Sequence, residues 1–148
     1  MKIRIISVGK IKENFLKRGI NKYLKLCSTD AKIELTQIKD SNEKEESKRI
    51  LELIDRIKGK KHVFVLDEKG EHFSSKKLAT KIKKLSIDHL LVFVIGGSFG
   101  LSKKVKEKSN TLLSLSQMTF THEMVYLFLA EQIYRAISII KNKNYHKE

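Results

Sequence analysis

Apolar positions along this chain switch repeatedly between two periods, and the switches mark out its elements. Residues 3–8 form a nearly continuous apolar run, Ile3, Ile5, Ile6 and Val8, which predicts a strand that Gly9 ends. The spacing then becomes helical. Ile11, Phe15, Leu16, Ile20, Tyr23, Leu24 and Cys27 share one broad face, and Lys12, Lys17, Arg18, Lys22 and Lys25 fill much of the rest. Residues 32–38 alternate apolar and polar, as a half-exposed strand does. Charged, turn-like residues 40–46 lead into a second helix that ends near Lys58, with Ile50, Leu51, Ile54 and Ile57 as its stripe and Gly59 as its stop. A short buried strand over 62–66 is closed by Asp67, Glu68, Lys69 and Gly70, and Ser74 or Ser75 caps a third helix carrying Leu78, Ile82 and Leu85. Residues 90–95 are another apolar strand, 102–108 a short helix, 112–115 the last strand and 122–141 the final helix, followed by a polar tail over 142–148. Strands alternating with helices predict an α/β fold: a mostly parallel sheet flanked by helices, in a single domain over residues 1–148.

The final helix is apolar almost all round. Met124, Val125, Leu127, Phe128, Leu129, Ile133, Ala136, Ile137 and Ile140 cover more than one face, whereas a helix packed only on its own sheet needs one stripe. The surplus predicts a homodimer packed through this helix. Its polar residues Glu131, Arg135 and Ser138 fall on one side. Glu131 and Arg135 are either a simple i,i+4 ion pair or part of a site at the dimer seam, and spacing alone leaves both open.

Two segments suggest chemistry. The apolar run ending at Ile95 stops at Gly96 and Gly97; Gly100 follows, and Ser102 opens a lysine-rich helix. A buried strand feeding a glycine loop and a helix start leaves backbone N–H groups without partners and clears side chains from a ligand's path. The spacing matches neither a phosphate loop nor a dinucleotide fingerprint. A tight turn with positive φ explains the glycines equally well. The second segment is Leu115, Ser116, Gln117, Met118, Thr119 and Phe120, whose hydroxyls, amide and backbone suit a small polar ligand. It places His122 at a helix start, where the dipole disfavours a cation, so His122 is a candidate proton acceptor. In the tail, Tyr145, His146 and Lys147 read either as a frayed end or as a stacking and phosphate-contact set.

Charge adds a partner. The chain carries 31 basic and 17 acidic residues, a net charge of +14, which favours an anionic partner and above all nucleic acid. The excess is nearly all lysine, and proline and tryptophan are absent, so a biased base composition offers a rival explanation. One cysteine, Cys27, excludes an internal disulfide and a cysteine-based zinc site, and its place in an apolar stripe reads as a buried thiol. The histidines are scattered, so no metal is expected. No apolar run approaches a membrane span, no signal peptide is evident, and a cytoplasmic location is expected.

Taken in order, several short motifs resemble one family. They are Lys2-Ile3 through Val8-Gly9-Lys10; Leu66-Asp67 with Gly70; Val94-Ile95-Gly96-Gly97-Ser98 with Gly100-Leu101; Leu113-Ser114 through Met118-Thr119-Phe120 and His122; Glu131-Gln132-Ile133-Tyr134-Arg135-Ala136; and Tyr145-His146-Lys147. Across essentially the whole chain these resemble the ribosomal RNA large subunit methyltransferase H family, of the SPOUT class. The resemblance implies a C-terminal trefoil knot, which no pattern argument would supply. It implies S-adenosylmethionine as methyl donor, N3 of a pseudouridine in 23S rRNA of the ribosome as target, and a homodimer. By the same resemblance Leu66, Gly96, Gly97 and residues 115–120 hold the donor. His122, Glu131, Arg135, Tyr145 and His146 face the RNA or the reacting base, with His122 or His146 taking the N3 proton. Lys103, Lys104, Lys106 and Lys108, with Arg18 and Lys22, are expected on phosphates. Two departures stand out. Thr121 replaces the usual proline, which should loosen the entry to the last helix, and Tyr126 replaces the usual arginine, which removes a cation expected near RNA or donor. A non-catalytic ribosome- or RNA-binding protein of the same fold is the rival reading, prompted by Tyr126. Another small-nucleotide enzyme using the same glycine loop is a third.

Overall fold

A computed structural model describes residues 1–147. The elements are β1 (Lys2–Val8), α1 (Asn14–Cys27), β2 (Lys32–Ile38), α2 (Glu43–Arg56), β3 (Lys61–His72), α3 (Ser75–Leu85), β4 (Leu90–Ile95), α4 (Lys103–Glu107), β5 (Thr111–Ser114) and α5 (His122–Ile140). The five strands form one sheet in the order β2-β1-β4-β3-β5, and every neighbouring pair is parallel. Parallel strands covered on both faces need continuous apolar runs, and β1 and β4 supply them. Phe64 and Phe93 sit opposite each other in the β3–β4 register and stack with centroids 4.7 Å apart.

Two apolar layers cover the sheet. On one face α1, α3 and α5 pack through Ile20, Leu24, Leu78, Ile82, Leu129 and Ile133 onto Ile3, Ile5, Phe64 and Phe93. On the other, Ile50 and Ile54 of α2 and Val105 of α4 pack onto Ile6, Val8, Val63, Val92 and Val94. Side-chain caps fix the helix starts: Asn42 accepts from the Glu45 N–H at 2.8 Å and Ser74 from the Lys77 N–H at 3.1 Å.

Several boundaries differ from the pattern's expectation, each for a local reason. The first helix starts at Asn14, not at Ile11, because the Glu123 carboxylate binds the backbone N–H groups of Lys12 and Glu13 and holds that stretch outside the helix. Phe15 is accordingly off the buried stripe and 60% exposed. The larger difference is β3, expected to close at Leu66. It continues to His72 past an irregularity in which Leu113 of β5 faces both Leu66 and Glu71, so residues 67–70 arch out of the strand. Gly70 is needed there because a Cβ would lie 2.7 Å from the Leu112 carbonyl. The described part of the tail, residues 142–147, is tied down; residue 148 lies outside the described residues. Lys143 Nζ binds Asp30 at 2.6 Å, and Tyr145 packs edge-on to Tyr134 at 4.7 Å.

Candidate functional site

At the carboxyl ends of β3, β4 and β5 lies a cavity of about 360 Å³. This is where open parallel sheets bind ligands, and the size falls in the ordinary range for small-molecule sites. Three segments form its walls. The first is Leu66 with the arch residues Asp67, Glu68 and Lys69; the second is the glycine loop from Ile95 to Leu101; the third carries Leu115, Ser116, Met118, Thr119 and Phe120, with His122 at the start of α5. Leu66, Gly96, Gly97, Leu115, Ser116, Met118, Thr119 and Phe120 are therefore gathered on one cavity, as expected. Gln117 is exposed and does not line it.

Two polar links tie the arch to the third wall. Ser114 Oγ donates to the Glu68 carbonyl at 3.0 Å, and Thr119 Oγ1 donates to Glu68 Oε2 at 2.5 Å. The glycine loop is held by its own packing. A Cβ on Gly96 would meet Leu101 Cγ at 2.8 Å and the Gly100 carbonyl carbon at 3.1 Å. The turn itself closes with the Gly100 N–H on the Gly97 carbonyl at 3.0 Å, and Gly100 alone of the three loop glycines has positive φ, +71°. The tight-turn reading therefore holds at Gly100, while Gly96 is required by crowding within the loop.

Sequence reasoning missed two charged features here. Asp67 and Lys106 pair at 3.0 Å in the cavity wall. Burial pushes the Asp67 carboxyl up, but the Lys106 ammonium and the Lys69 N–H outweigh it and hold it below the usual carboxylate range. Behind the loop, Glu46 of α2 is 4% exposed; its Oε2 accepts from the Ser41 N–H at 2.7 Å, while Oε1 has no partner among the described residues and points towards Gly97. No spacing rule links residue 46 to residue 97. Lys106, expected on phosphate, is instead neutralised by Asp67.

The other candidate residues form a separate polar cluster on α5 and the tail. Arg135 is paired with Glu131, and both are largely covered, 23% and 17% exposed. Tyr145 donates its hydroxyl to Glu131 Oε1 at 3.0 Å, the Arg135 guanidinium lies 4.8 Å from the Tyr145 ring centre, and Arg135 Nη1 donates to His146 Nδ1 at 3.3 Å. The network extends through Gln132, which donates to Glu131 Oε2 and accepts from Ser75 Oγ of α3, both at 2.8 Å. Burial, together with hydrogen bonds to Tyr23 and Glu131, raises the Tyr145 phenol above its usual range. The arginine contact assigns the His146 tautomer: Nδ1 is the acceptor, so the proton sits on Nε2, which is buried and unpartnered among the described residues. A second cavity, of about 290 Å³, joins the two groups. It is lined by Phe73, Ser75, Glu131 and Gln132, and it shares Leu115, Ser116 and Phe120 with the first.

The two departures read differently in three dimensions. Thr121 does not loosen the last helix: its Oγ1 caps α5 by accepting from the Met124 N–H at 3.3 Å. Tyr126 packs inward. It is 6% exposed within the α1/α3/α5 core, and burial pushes its phenol up to about 12. Cys27 is buried too, its thiol raised to about 12 by burial and the nearby Asp30. Among the described residues no three His, Cys, Asp or Glu side chains group as a metal site, and no helix is long and apolar enough to cross a membrane.

A family model described as "Predicted SPOUT methyltransferase" matches residues 1–146. The ribosomal RNA large subunit methyltransferase H of Natranaerobius thermophilus is 40% identical to this chain, covering 99% of each. The chain belongs to the ribosomal RNA large subunit methyltransferase H family of SPOUT methyltransferases. Proteins of the same description from Symbiobacterium thermophilum and Enterococcus faecalis are 40% and 38% identical, over 99% of this chain and 100% of each relative. A solved structure from Haemophilus influenzae, titled a "probable methylase family protein", superposes with a TM-score of 0.55 over 95% of this chain and 66% of its own. At 11% identity it supports the fold alone. As a SPOUT methyltransferase, the chain has its glycine loop and its 115–120 segment walling one cavity, with Glu131, Arg135, Tyr145 and His146 held nearby.

Proposed function

We propose that this SPOUT methyltransferase transfers a methyl group from S-adenosylmethionine to N3 of a pseudouridine in 23S rRNA, acting as a homodimer on assembled ribosomes. The relatives' names support the rRNA. The observation that carries the reading on this chain is the convergence of the glycine loop, the 115–120 segment and His122 on one cavity. That cavity fits the donor's chemistry. Leu66, Leu115 and Phe120 suit a flat adenine ring, and Asp67 suits hydroxyl or ammonium donors. Gly96 and Gly97 leave main chain, not side chains, facing the ligand. When bound, S-adenosylmethionine supplies an electrophilic methyl group on a sulfonium.

The chain's own part is binding, orientation and proton removal. N3 of the base carries a hydrogen that must leave before its lone pair can attack, so a proton acceptor is required. His122 takes this role better than His146, because the Nδ1 lone pair of His146 is already engaged by Arg135. The Glu131–Arg135–Tyr145 network orients the base; held geometry of this kind lowers the barrier without acting on the methyl group. The trefoil knot belongs to the same proposal, supported by the hydrogen-bonded closure of the 67–70 arch onto the segment leading into α5. The non-catalytic rival is separated from this reading by the transfer assay alone, since Tyr126 lies in the core and offers no cation.

The test is transfer of a labelled methyl group from S-adenosylmethionine to 70S ribosomes and to free rRNA by folded protein. Transfer to ribosomes is expected. Absence of transfer to either substrate overturns the proposal.

A further inference from the structure

The charge excess of this protein is not spread evenly over its two faces. On the α1/α3/α5 side, α1 carries Lys17, Arg18, Lys22 and Lys25 with no carboxylate, and α3 carries Lys76, Lys77, Lys81, Lys83 and Lys84 with none. On the opposite face α2 sets five carboxylates against four cations. A compositional bias towards lysine would not make this distinction. Around the helix expected to hold phosphate, Lys106 is neutralised by the covered Asp67 at 3.0 Å, and Lys103 and Lys108 have carboxylates at hand in exposed, weaker pairs, Glu107 at 3.8 Å and Asp55 at 2.8 Å.

Helix α3 is different. Lys77, Lys81 and Lys84 recur at i, i+4 and i+7 and so form one row, with neighbours about 5–6 Å apart. Within this row, among the described residues, only Lys77 has a carboxylate, Glu71 at 3.3 Å, and both of those side chains are more than half exposed, so the pair is weak. The row has a direction. The ammonium groups of Lys77 and Lys81 lie 4.8 and 5.9 Å from the centre of the Phe73 ring, which anchors that end. Phe73 in turn lines the second cavity with Ser75, Glu131 and Gln132. At the other end, past Lys83 and Lys84, Ile87 is 82% exposed.

We infer that α3 is a docking track for the phosphate backbone of an RNA strand, running from Lys84 past Lys81 to Lys77 and leading the strand towards the cavity at Phe73 and Glu131. The partner class follows from charge: a row of ammoniums on one helix, held by a single weak exposed ion pair, matches a regularly spaced polyanion, and contacts to its phosphates position a nucleic acid without reading its sequence. The inference deepens the proposed function by naming a second surface for the same RNA.

Salt dependence tests it. The affinity of the full-length protein for 70S ribosomes is measured across a salt series for the unaltered chain, for Lys81→Gln/Lys84→Gln, and for Lys44→Gln/Lys48→Gln on α2, which changes the net charge equally. Removing two phosphate contacts is expected to reduce the slope of log affinity against log salt by about 1.4, and the α2 pair is expected to leave it unchanged. Arginine at positions 81 and 84 should restore the slope. Lys83→Gln/Lys84→Gln, both exposed, serves as a second variant if the first folds poorly. Equal slopes for the α3 and α2 pairs, or no change in either, overturn the track. Methyl transfer by the unaltered chain is followed on the same ribosomes. A slope that depends on α3 without any transfer would sink the proposed function and leave the track standing; transfer with a slope indifferent to α3 would do the reverse.

Discussion

Individual residues show two separate reasons for glycine in one short loop. Gly100 is required by its backbone angle; Gly96 is required by crowding, since a Cβ there would press on the Gly100 main chain and on Leu101. Gly96→Val should therefore distort the loop at an overpacking cost of about 1–3 kcal/mol and reduce affinity for S-adenosylmethionine at least tenfold. Calorimetry with the donor checks this, with circular dichroism to show that the fold persists; unchanged affinity would remove Gly96 from the donor site. Gly96, Gly97 and His122 stood out in the sequence because each sits at a junction between periods, and all three line the first cavity. Glu46 and the Asp67–Lys106 pair were not. Their significance comes from meeting residues distant in the chain, and nothing in their immediate sequence signals it. Tyr126 was noticed only as a family difference; that its side chain belongs to the core left no mark in the sequence.

Helices and strands were legible where a side-chain period was strong. All five helices and the apolar β1 and β4 lie close to where periodicity puts them. The second half of β3 was invisible, because Asp67, Glu68, Lys69, Gly70, Glu71 and His72 show no alternation and depend on β5, more than forty residues later, for their pairing. The same seam carries a pH dependence. His62 of β3 bonds Thr111 Oγ1 of β5 at 2.8 Å. Burial, with smaller contributions from Lys81 and His89, lowers its ring from 6.5 to about 4. A base with a depressed value in the folded state binds protons more readily when unfolded, so stability is full above about 6.5 and falls as pH drops towards 4. Urea titrations at pH 7 and pH 5 should show lower stability at pH 5, and His62→Gln should shrink the difference. An unaltered pH dependence in that variant would assign the effect elsewhere.

For the whole molecule, class and layer arrangement followed from the alternation of elements, whereas the strand order β2-β1-β4-β3-β5 did not, since crossover choices are non-local and leave no local mark. The apolar surplus of α5 was legible, and the fold accounts for part of it: Leu129, Ile133 and Ile137 are buried in the core, but Met124 and Phe128 remain partly exposed. A homodimer through this face predicts that Phe128→Glu sediments as a monomer where the unaltered chain sediments at twice the chain mass; a monomeric unaltered chain would refute the dimer. A last consequence comes from where the first cavity's walls lie in the chain. They run from Leu66 to Val125, and the four-residue strand β5 closes the edge of β3 only after three quarters of the polypeptide has been made. During translation, at about 5–20 residues per second, the emerging protein therefore passes several seconds with β3 as an open sheet edge and the first cavity unformed. A ribosome stalled before residue 111 would release a fragment inert as an enzyme and prone to aggregate through that edge, so premature termination abolishes activity outright instead of grading it.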